Sequence, residues 1–418
     1  MTKKLLLTFA LLLTAVTGAW AYFTPIAGDV WDETTKTLTV NSDPGANAYS
    51  GKTEIQHLVI ASGVTSIGNY AFNGCSGLAT VTVYAPSCTL GGFAFSGCNK
   101  LTNIYVFSDR VESYQAADNW SDYASKITAM TSVASGTCGK VNPEDVTWRL
   151  EGEERHYRLI ISGTGAMADY VSFSDQPWKD YRSSIRKVVI GDGVTTIGDY
   201  AFYRCSRLTS INIPAGVTSI GSGAFSNCDG LTTVTFDGTS TLTSIGSGAF
   251  LDCFNLTSIT IPSSVTTIGD SAFKGSGLTT VTFDGTSTLT TIGEYAFLDC
   301  SNLTSITIPS SVTTIGGGAF KGSGLTSITI PASVESIAWH VFAGCTNIAT
   351  MTVDAGNPKY DSRNSCNAII ETSTNTLIAG CKNTIIPDDV TTISSFAFED
   401  CTGLTSIEIP ASVTESTI

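Results

Sequence analysis

Charged side chains are scarce in this chain of 418 residues. Asp, Glu, Lys and Arg make up 14% of it and histidine occurs three times, whereas about 25% charged residues is usual for globular proteins. The formal net charge is −14, and no run of four or more basic residues occurs. This balance argues against nucleic acids and anionic membrane surfaces as partners, because both attract clustered cations.

Motifs for catalysis and for metal binding are missing as well. The three histidines, His57, His156 and His340, are far apart in the sequence, and no Ser-His-Asp set, G-x-S-x-G elbow, H-E-x-x-H or phosphate-binding glycine loop is found. No C-x-x-C pair for zinc occurs. The two FDGTST stretches, at Phe236 and Phe283, supply one carboxylate each, too few for calcium. The sequence therefore predicts no enzyme, no cofactor and no metal site.

Long apolar runs are confined to the N-terminus. Lys3 and Lys4 precede an apolar stretch at Leu5–Val16, and a small-x-small cleavage pattern ends at Ala21. The stretch is too short to span a membrane, and no Cys follows it that would receive a lipid anchor. We predict a signal peptide over residues 1–21, a mature chain without an integral membrane segment, and a secreted or cell-surface location. A buried N-terminal helix is the alternative interpretation.

An internal repeat is the dominant feature of what the chain does contain. The letters LTSITIPSSVTTIG occur at Leu256–Gly269 and again at Leu303–Gly316, and residues 231–277 and 278–324 are near-duplicates. The unit reads L-T-S-I-T-I-P-x-x-V-T-x-I-G-x-x-A-F-x-G-C-x-x and recurs every 22 to 25 residues. This period lies in the range of leucine-rich repeats. The predicted fold is a repeat solenoid, mainly β with short turns and helical pieces, in which each unit forms one rung.

Each position in the unit has a predicted place in the rung. Side chains alternate along a strand, so Leu and the two Ile residues point inward while Ser and Thr between them point outward. The Phe of the Ala-Phe pair (once Val-Phe) fills the interior, and a rung buries its apolar edge only against its neighbours. These pairs end at Phe72, Phe95, Phe202, Phe225, Phe250, Phe273, Phe297, Phe320, Phe342 and Phe398.

The repeats fall into two blocks, of which the first occupies residues 22–130. A strand-like KTLTV at 36–40 is predicted to cover its open end. A helical segment at 108–127, in which apolar residues recur mainly every three or four positions, is predicted to close the other end as a lid. Asp109 and Glu112 have the spacing of a capping box for this segment.

The second block begins after a connecting region. Residues 131–184 are predicted to form a linker and a β-rich cap, with the linker itself over 128–137. The main solenoid follows at 185–418 and includes an elongated repeat at 354–385. Its last unit, PASVTESTI, stops before an Ala-Phe pair, from which we expect an uncapped C-terminal end, by truncation or by nature. A free strand edge there would favour self-association.

Cysteine is placed according to the repeat. Most of the twelve cysteines stand three residues after the Phe of a rung, and Ser takes that place in two further rungs. A position that accepts Ser is not built on pairing, which predicts a buried ladder of free thiols. Cys366 and Cys381 lie outside it, flank a hairpin-like segment and are the best candidates for a disulfide in an oxidising compartment. Cys88 and Cys138 also lie outside it, with either redox state open. The ladder consists of Cys75, Cys98, Cys205, Cys228, Cys253, Cys300, Cys345 and Cys401.

The outward strand positions are the first candidate binding site. They form rows of hydroxyl groups with almost no charge, which either serve as β-favouring solvated filler or provide a broad surface for an extended partner, since solenoid faces commonly bind ligands. An ice-binding array is disfavoured because a curved sheet mismatches a flat lattice. The candidate residues are Thr233, Thr235, Thr260, Thr280, Thr282, Thr307 and Thr329.

Trp339 and His340 are the second candidate site, because they interrupt the repeat pattern. An aromatic residue at a variable, exposed position is a typical contact hot spot. The other interpretation, which we favour, is that Trp339 packs over the junction with the elongated repeat, since polar surfaces rarely leave a Trp exposed.

Three stretches resemble the BspA-type leucine-rich repeats of bacterial surface proteins. The unit IPSSVTTIGDSAFKGSGLTT at 261–280 resembles the family repeat, residues 135–202 look like its N-terminal cap and first rung, and residues 353–387 look like its elongated repeat. The resemblance implies a non-catalytic surface protein for adhesion or host-matrix binding, with a protein or glycoconjugate partner held on the solenoid surface. A structural or assembly component of the cell envelope is the alternative.

Overall fold

The computed structural model describes residues 23–152, 156–172 and 174–416. The predicted signal peptide at 1–21 lies outside the described residues. The chain divides into two compact units, with the boundary between Met130 and Thr131, and each unit has its own hydrophobic core.

The first unit is a short parallel solenoid. The predicted KTLTV strand pairs in parallel with the first rung, and an antiparallel strand precedes it. Six strands form one sheet in the order β1-β2-β3-β5-β7-β8, and β4 pairs with β6 on a second side of the rungs. The strands are β1 (Val30–Asp32), β2 (Thr37–Val40), β3 (His57–Ile60), β4 (Ser66–Ile67), β5 (Thr80–Val83), β6 (Thr89–Leu90), β7 (Asn103–Val106) and β8 (Ile127–Ala129).

The lid of the first unit is broken into short helical pieces. Helix α1 (Val111–Ala116) lies between 3₁₀ turns at Ser108–Arg110 and Ser121–Lys126. The ring of Trp120 contacts that of Phe95 at 6.1 Å between centroids, and its Nε1 donates to the carbonyl of Cys88 at 2.7 Å. The lid therefore lies over the last interior Phe of this unit.

The capping box predicted for the lid is wrong. Asp109 lies inside the 3₁₀ turn, so Arg110 occupies the N-cap of α1 and no side chain caps it. The predicted segment is also not one helix, because residues 117–120 separate α1 from the second 3₁₀ turn, and Ile127 already begins β8.

The predicted linker at 128–137 contains the boundary between the two units, but most of its residues are paired strand. β9 (Ser132–Thr137) runs antiparallel to β10 (Val146–Glu151). Small residues allow this pairing: a Cβ at Gly136 would lie 2.9 Å from Nε1 of Trp148. The cap sheet of the second unit has the order β13-β11-β10-β9, with β11 at Tyr157–Gly163 and β13 at Ile185–Ile190.

The main array repeats one path in every rung. A strand on one side is followed by a turn, by a very short strand in an eight-stranded parallel sheet, and by turns that bring in the Ala-Phe pair. The remaining strands up to the elongated repeat are β12 (Gly165–Ala166), β14 (Val194–Ile197), β15 (Ser210–Ile213), β16 (Ser219–Ile220), β17 (Thr233–Phe236), β18 (Ser244–Ile245), β19 (Ser258–Ile261), β20 (Thr267–Ile268), β21 (Thr280–Phe283), β22 (Thr291–Ile292), β23 (Thr314–Ile315), β24 (Ser327–Ile330), β25 (Ser336–Ile337) and β26 (Thr350–Val353).

The interior of this array is a stack of phenylalanine rings. Ring centroids are 5.2 Å apart between Phe202 and Phe225 and 5.8 Å apart between Phe320 and Phe342, with the rings nearly parallel. Parallel stacking follows from the strand register, which places the same residue of each rung above its copy.

Four ladder cysteines of this array hydrogen-bond to the backbone carbonyls of the stacked phenylalanines. The thiol of Cys253 donates to the carbonyl of Phe225 at 3.2 Å, and that of Cys300 donates to Phe273 in the same way. Burial raises the pKa of Cys253 to about 12, so the thiol stays protonated at neutral pH. All twelve cysteines are free thiols in the structure, and Cys401 alone among these twelve is more than slightly exposed.

The elongated repeat adds a meander beside the last rungs. β27 (Tyr360–Asp361), β28 (Ala368–Glu371) and β29 (Thr376–Gly380) pair antiparallel, and β29 pairs in parallel with β30 (Thr392–Ile393), which pairs with β31 (Glu415–Ser416). Both Cys366 and Cys381 are buried there as thiols, and their pairing stays a prediction.

Along the described residues, no helix reaches the length and apolarity that a membrane crossing needs.

Candidate functional site

The strand face is the side of the main array formed by the outward side chains of β15, β17, β19, β21, β24 and β26 and of residues 305–307. Alternation along each strand buries one residue and exposes the next, so β19 buries Ile259 and Ile261 and exposes Ser258 and Thr260. All seven threonines predicted from the sequence are exposed on this face. No outward position from Ser210 to Thr352 is charged.

Hydrogen bonds between rungs order the hydroxyl groups of the strand face. The Oγ1 atoms of Thr260 and Thr282 are 2.9 Å apart, and the same distance separates those of Thr329 and Thr352. These contacts arise because the parallel register places Thr260 directly beside Thr282. These four hydroxyl groups are thus held in orientation by their neighbours before any partner binds.

Asn212 and Asp237 belong to the same hydrogen-bond pattern. Neither residue was among the binding candidates predicted from the sequence. Thr235 Oγ1 donates to Asn212 Oδ1 at 2.8 Å, and Asn212 Nδ2 donates to Asp237 Oδ2 at 2.5 Å. Asn212 occupies the repeat position of Thr235 one rung earlier, which is the signal that could have identified it.

The strand face is not one continuous sheet. Its strands pair two by two, β15 with β17, β19 with β21, and β24 with β26. Ser305 and Thr307 are exposed, but residues 305–307 belong to no strand. Two of the interruptions follow rungs that contain the additional DGTST loop, at 237–241 and 284–288. The face is therefore corrugated, with a gap between neighbouring strand pairs.

Trp339 and His340 lie elsewhere on the rung, at the turn after β25, and the structure does not bring them onto the strand face. The packing role that we favoured for Trp339 is wrong, because 60% of this residue is exposed. His340 fills the junction instead: its ring lies 3.9 Å from that of Phe396, and its Nδ1 pairs with Glu399. The sequence pattern could not show which of Trp339 and His340 fills the junction. The residues that contact His340, Phe396 and Glu399, are more than 50 residues away in the sequence.

The charges of this junction are paired. Lys321 Nζ lies 3.0 Å from Glu399 Oε1, on the other side of the carboxylate from His340. Burial raises the pKa of Glu399, but hydrogen bonds from Lys321 and His340 outweigh it and leave the pKa below its usual value. The junction is thus a structural contact in which His340 already has its partners, while Trp339 remains accessible.

The chemistry available on the strand face is hydrogen bonding. Threonine hydroxyls both donate and accept hydrogen bonds. Among the described residues no group of three or more His, Cys, Asp or Glu side chains is arranged to hold a metal ion. The arrangement is suited to holding a polar partner over a large area.

A protein-family model matches most of the chain. The model described as "BspA type Leucine rich repeat region (6 copies)" matches residues 44–133, 180–288, 284–374 and 370–417, which is most of the chain. A search of curated proteins returned no match.

Solved structures include several bacterial leucine-rich-repeat proteins similar to this chain. A leucine rich cell surface protein from Faecalibacterium prausnitzii A2-165 is 30% identical over 66% of this chain and 71% of its own, with a TM-score of 0.48. A leucine-rich repeat protein from Eubacterium ventriosum is 24% identical with a TM-score of 0.37, and the match covers 68% of this chain and 62% of that protein. One from Bacteroides ovatus is 18% identical over 93% of this chain and 88% of its own, with a TM-score of 0.37.

Proposed function

The chain belongs to the BspA-type leucine-rich-repeat family, and from this premise we propose that it is a non-catalytic recognition protein, secreted or displayed at the cell surface, that binds a protein or glycan partner through its strand face. The family and its cell-surface neighbours support a binding role. The signal-peptide pattern at residues 1–21 supports export.

The observation that favours the strand face is its ordered, uncharged hydroxyl surface. It extends over successive rungs, and cross-rung bonds orient part of it, as between Thr260 and Thr282. Large areas of modest hydrogen bonds suit an extended partner, because each contact contributes only about 0.5–1.5 kcal/mol and many are needed. The outward strand positions have no Tyr, Trp or Arg from Ser210 to Thr352, so affinity should be spread over several rungs.

The test is capture of partners from host secretions by the mature chain. Replacing Thr260, Thr282 and Thr307 together by Lys should abolish capture, because three cations then occupy consecutive rungs of a neutral surface. A single Thr280→Ala should have little effect, because the affinity is spread over several rungs. Circular dichroism and thermal unfolding establish that the triple variant is folded.

Trp339→Ala is the matched control, since Trp339 is exposed but lies off the strand face. Its capture should equal that of the unmodified chain. Loss of capture in Trp339→Ala, with normal capture by the triple Lys variant, would place the site on the turn side and contradict the proposal. Absence of any captured partner together with concentration-dependent self-association would favour the envelope-assembly alternative.

A further inference from the structure

A cleft interrupts the strand face between β17 and β19. These strands are neighbours along the solenoid, but they belong to different two-stranded sheets, so in the described chain no ladder joins them. The cleft has a volume of about 330 Å³, within the roughly 300–1,000 Å³ that small-molecule sites occupy. The backbone edges along it are available to a ligand because no neighbouring strand pairs with them.

The walls of the cleft are polar with one aromatic side. Hydroxyl groups come from both strands and from the loop after β17, a carboxylate comes from the rung beyond, and a half-buried ring lies beside them. The lining includes Thr235, Phe236, Thr239, Ser240, Thr260 and Asp284.

Asp284 is the most informative of these residues. Its carboxylate is exposed and has no hydrogen bond or ion pair with the described residues, whereas the equivalent Asp237 accepts from Asn212 Nδ2 at 2.5 Å. A free carboxylate beside several hydroxyls accepts hydrogen bonds from a ligand that presents its own hydroxyls. No Lys or Arg is among the described residues that line the cleft, which disfavours anionic ligands.

We propose that the cleft between β17 and β19 binds one unit of a neutral glycan. The sugar hydroxyls bond to Asp284, Thr235 and Thr260, and the apolar C–H face of the sugar lies against Phe236. This inference rests on the proposed recognition function and specifies its ligand class.

The internal duplication supplies a natural comparison. The lining residues recur 47 positions later with the same identities, Thr239 as Thr286 for example, except that Pro331 stands at the place equivalent to Asp284. The duplicate thus retains the hydroxyls and the ring but lacks the carboxylate. A ligand that requires the carboxylate should bind differently to the cleft and to its duplicate.

The experiment measures binding of the mature chain to immobilised oligosaccharides. The panel contains neutral glucans, mannans and galactans beside sialylated, sulfated and uronic-acid glycans, and affinities of any bound oligosaccharide are then measured by calorimetry. Binding to neutral members is expected. Asp284→Asn and Thr239→Trp, which remove the charge and fill the cleft, should each lower the affinity at least tenfold.

The control uses the equivalent position of the duplicate. Thr286→Trp should leave the affinity within twofold, and Thr239 and Thr286 are both exposed, so a Trp fits either loop without unfolding the rung. Circular dichroism checks each variant, and Asp284→Asn decides the matter if a Trp variant does not fold.

Three results would overturn the inference: preferential binding of anionic glycans, equal losses in Thr239→Trp and Thr286→Trp, or no binding to any glycan on the panel. If the panel is silent while a captured protein partner is lost in the triple Lys variant, the glycan inference fails and the proposed function stands. If neither the panel nor host secretions yield a ligand, both fail.

Discussion

Cysteine and serine exchange at one position of the repeat because both fit a small buried site. Ser276 and Ser323 replace Cys in two rungs, and each stays within 3.4 Å of the thiol of the next rung. The exchange was visible in the sequence and predicted a ladder of unpaired thiols. The acceptor of those thiols was not visible, because the carbonyl of the Phe in the preceding rung is brought near only by the coiling of the chain.

The thiols should be chemically free. Alkylation of the protein after unfolding without reductant, followed by mass mapping, should label every ladder cysteine. Cys253→Ser should lower the free energy of unfolding by about 1–2 kcal/mol, the cost of burying a hydroxyl in place of a thiol, as measured by denaturant titration. A disulfide between Cys205 and Cys228, or between any other ladder pair, would contradict the account.

Phe273 should be among the most costly residues to truncate. It is fully buried, and its ring stacks at 5.4 Å on both Phe250 and Phe297. Phe273→Ala should lower the free energy of unfolding by about 3–5 kcal/mol through the cavity it opens. Thr260→Ala is the control and should change stability by less than about 0.5 kcal/mol. Equal effects of the two substitutions on a denaturation curve would refute the assigned register.

At the scale of the turn, the residue before each Ala-Phe pair has a left-handed backbone. Gly248 and Gly318 have φ values of +60° and +59° there, and Tyr295 has +55°. Tyr295 places its ring over the next rung, where a Cβ on Gly318 would lie 2.5 Å from a ring carbon. A Tyr in one rung and a Gly in the next are therefore coupled by contact.

Gly318→Ala should destabilise the protein more than Gly248→Ala. Both substitutions force alanine into a left-handed conformation, at roughly 1–2 kcal/mol, but only the first also collides with a ring, since a Cβ at Gly248 meets its nearest atom at an ordinary 3.7 Å. Adding Tyr295→Ala to Gly318→Ala should remove the excess. Thermal unfolding of the four variants, including Tyr295→Ala alone, measures the coupling; additive effects would show that the ring contact is unimportant.

Strands were easier to predict than their pairing. The alternation of Ile with Thr identifies β19 and β21 from local sequence. Whether two strands share a ladder depends on the length and path of the intervening rung, and β17 and β19 fail to pair despite similar sequences. The cleft between them could not be predicted, because it is a property of the gap rather than of either strand.

For the whole molecule, the repeat period and the family motifs predicted the solenoid and its outward threonines correctly. The junction beyond β25 was predicted wrongly at Trp339, since the side chains that fill it come from a distant rung. Contacts between equivalent positions of successive rungs can be predicted from the repeat period. Contacts where the repeat is interrupted cannot, because the residues that meet there are not related by the period.

Partner binding should depend weakly on salt, although the chain has a net charge of −14. Raising the ionic strength from 0.1 M to 1 M shortens the Debye length from about 10 Å to about 3 Å. Because the outward residues of the strand face are uncharged, this change should alter the affinity by less than about threefold. Titrations at both salt concentrations measure this. A steep decrease with salt would indicate that charged regions outside the strand face bind the partner.

Hydrogen–deuterium exchange of the mature chain, with and without its captured partner, tests most directly that the strand face is the recognition surface. Amides of β17 and β19 along the unpaired gap should exchange quickly in the free protein and slow markedly when the partner is bound. Amides around Trp339 should not change. Protection confined to the turn at Trp339, with no change in β17, β19 and β21, would contradict the account.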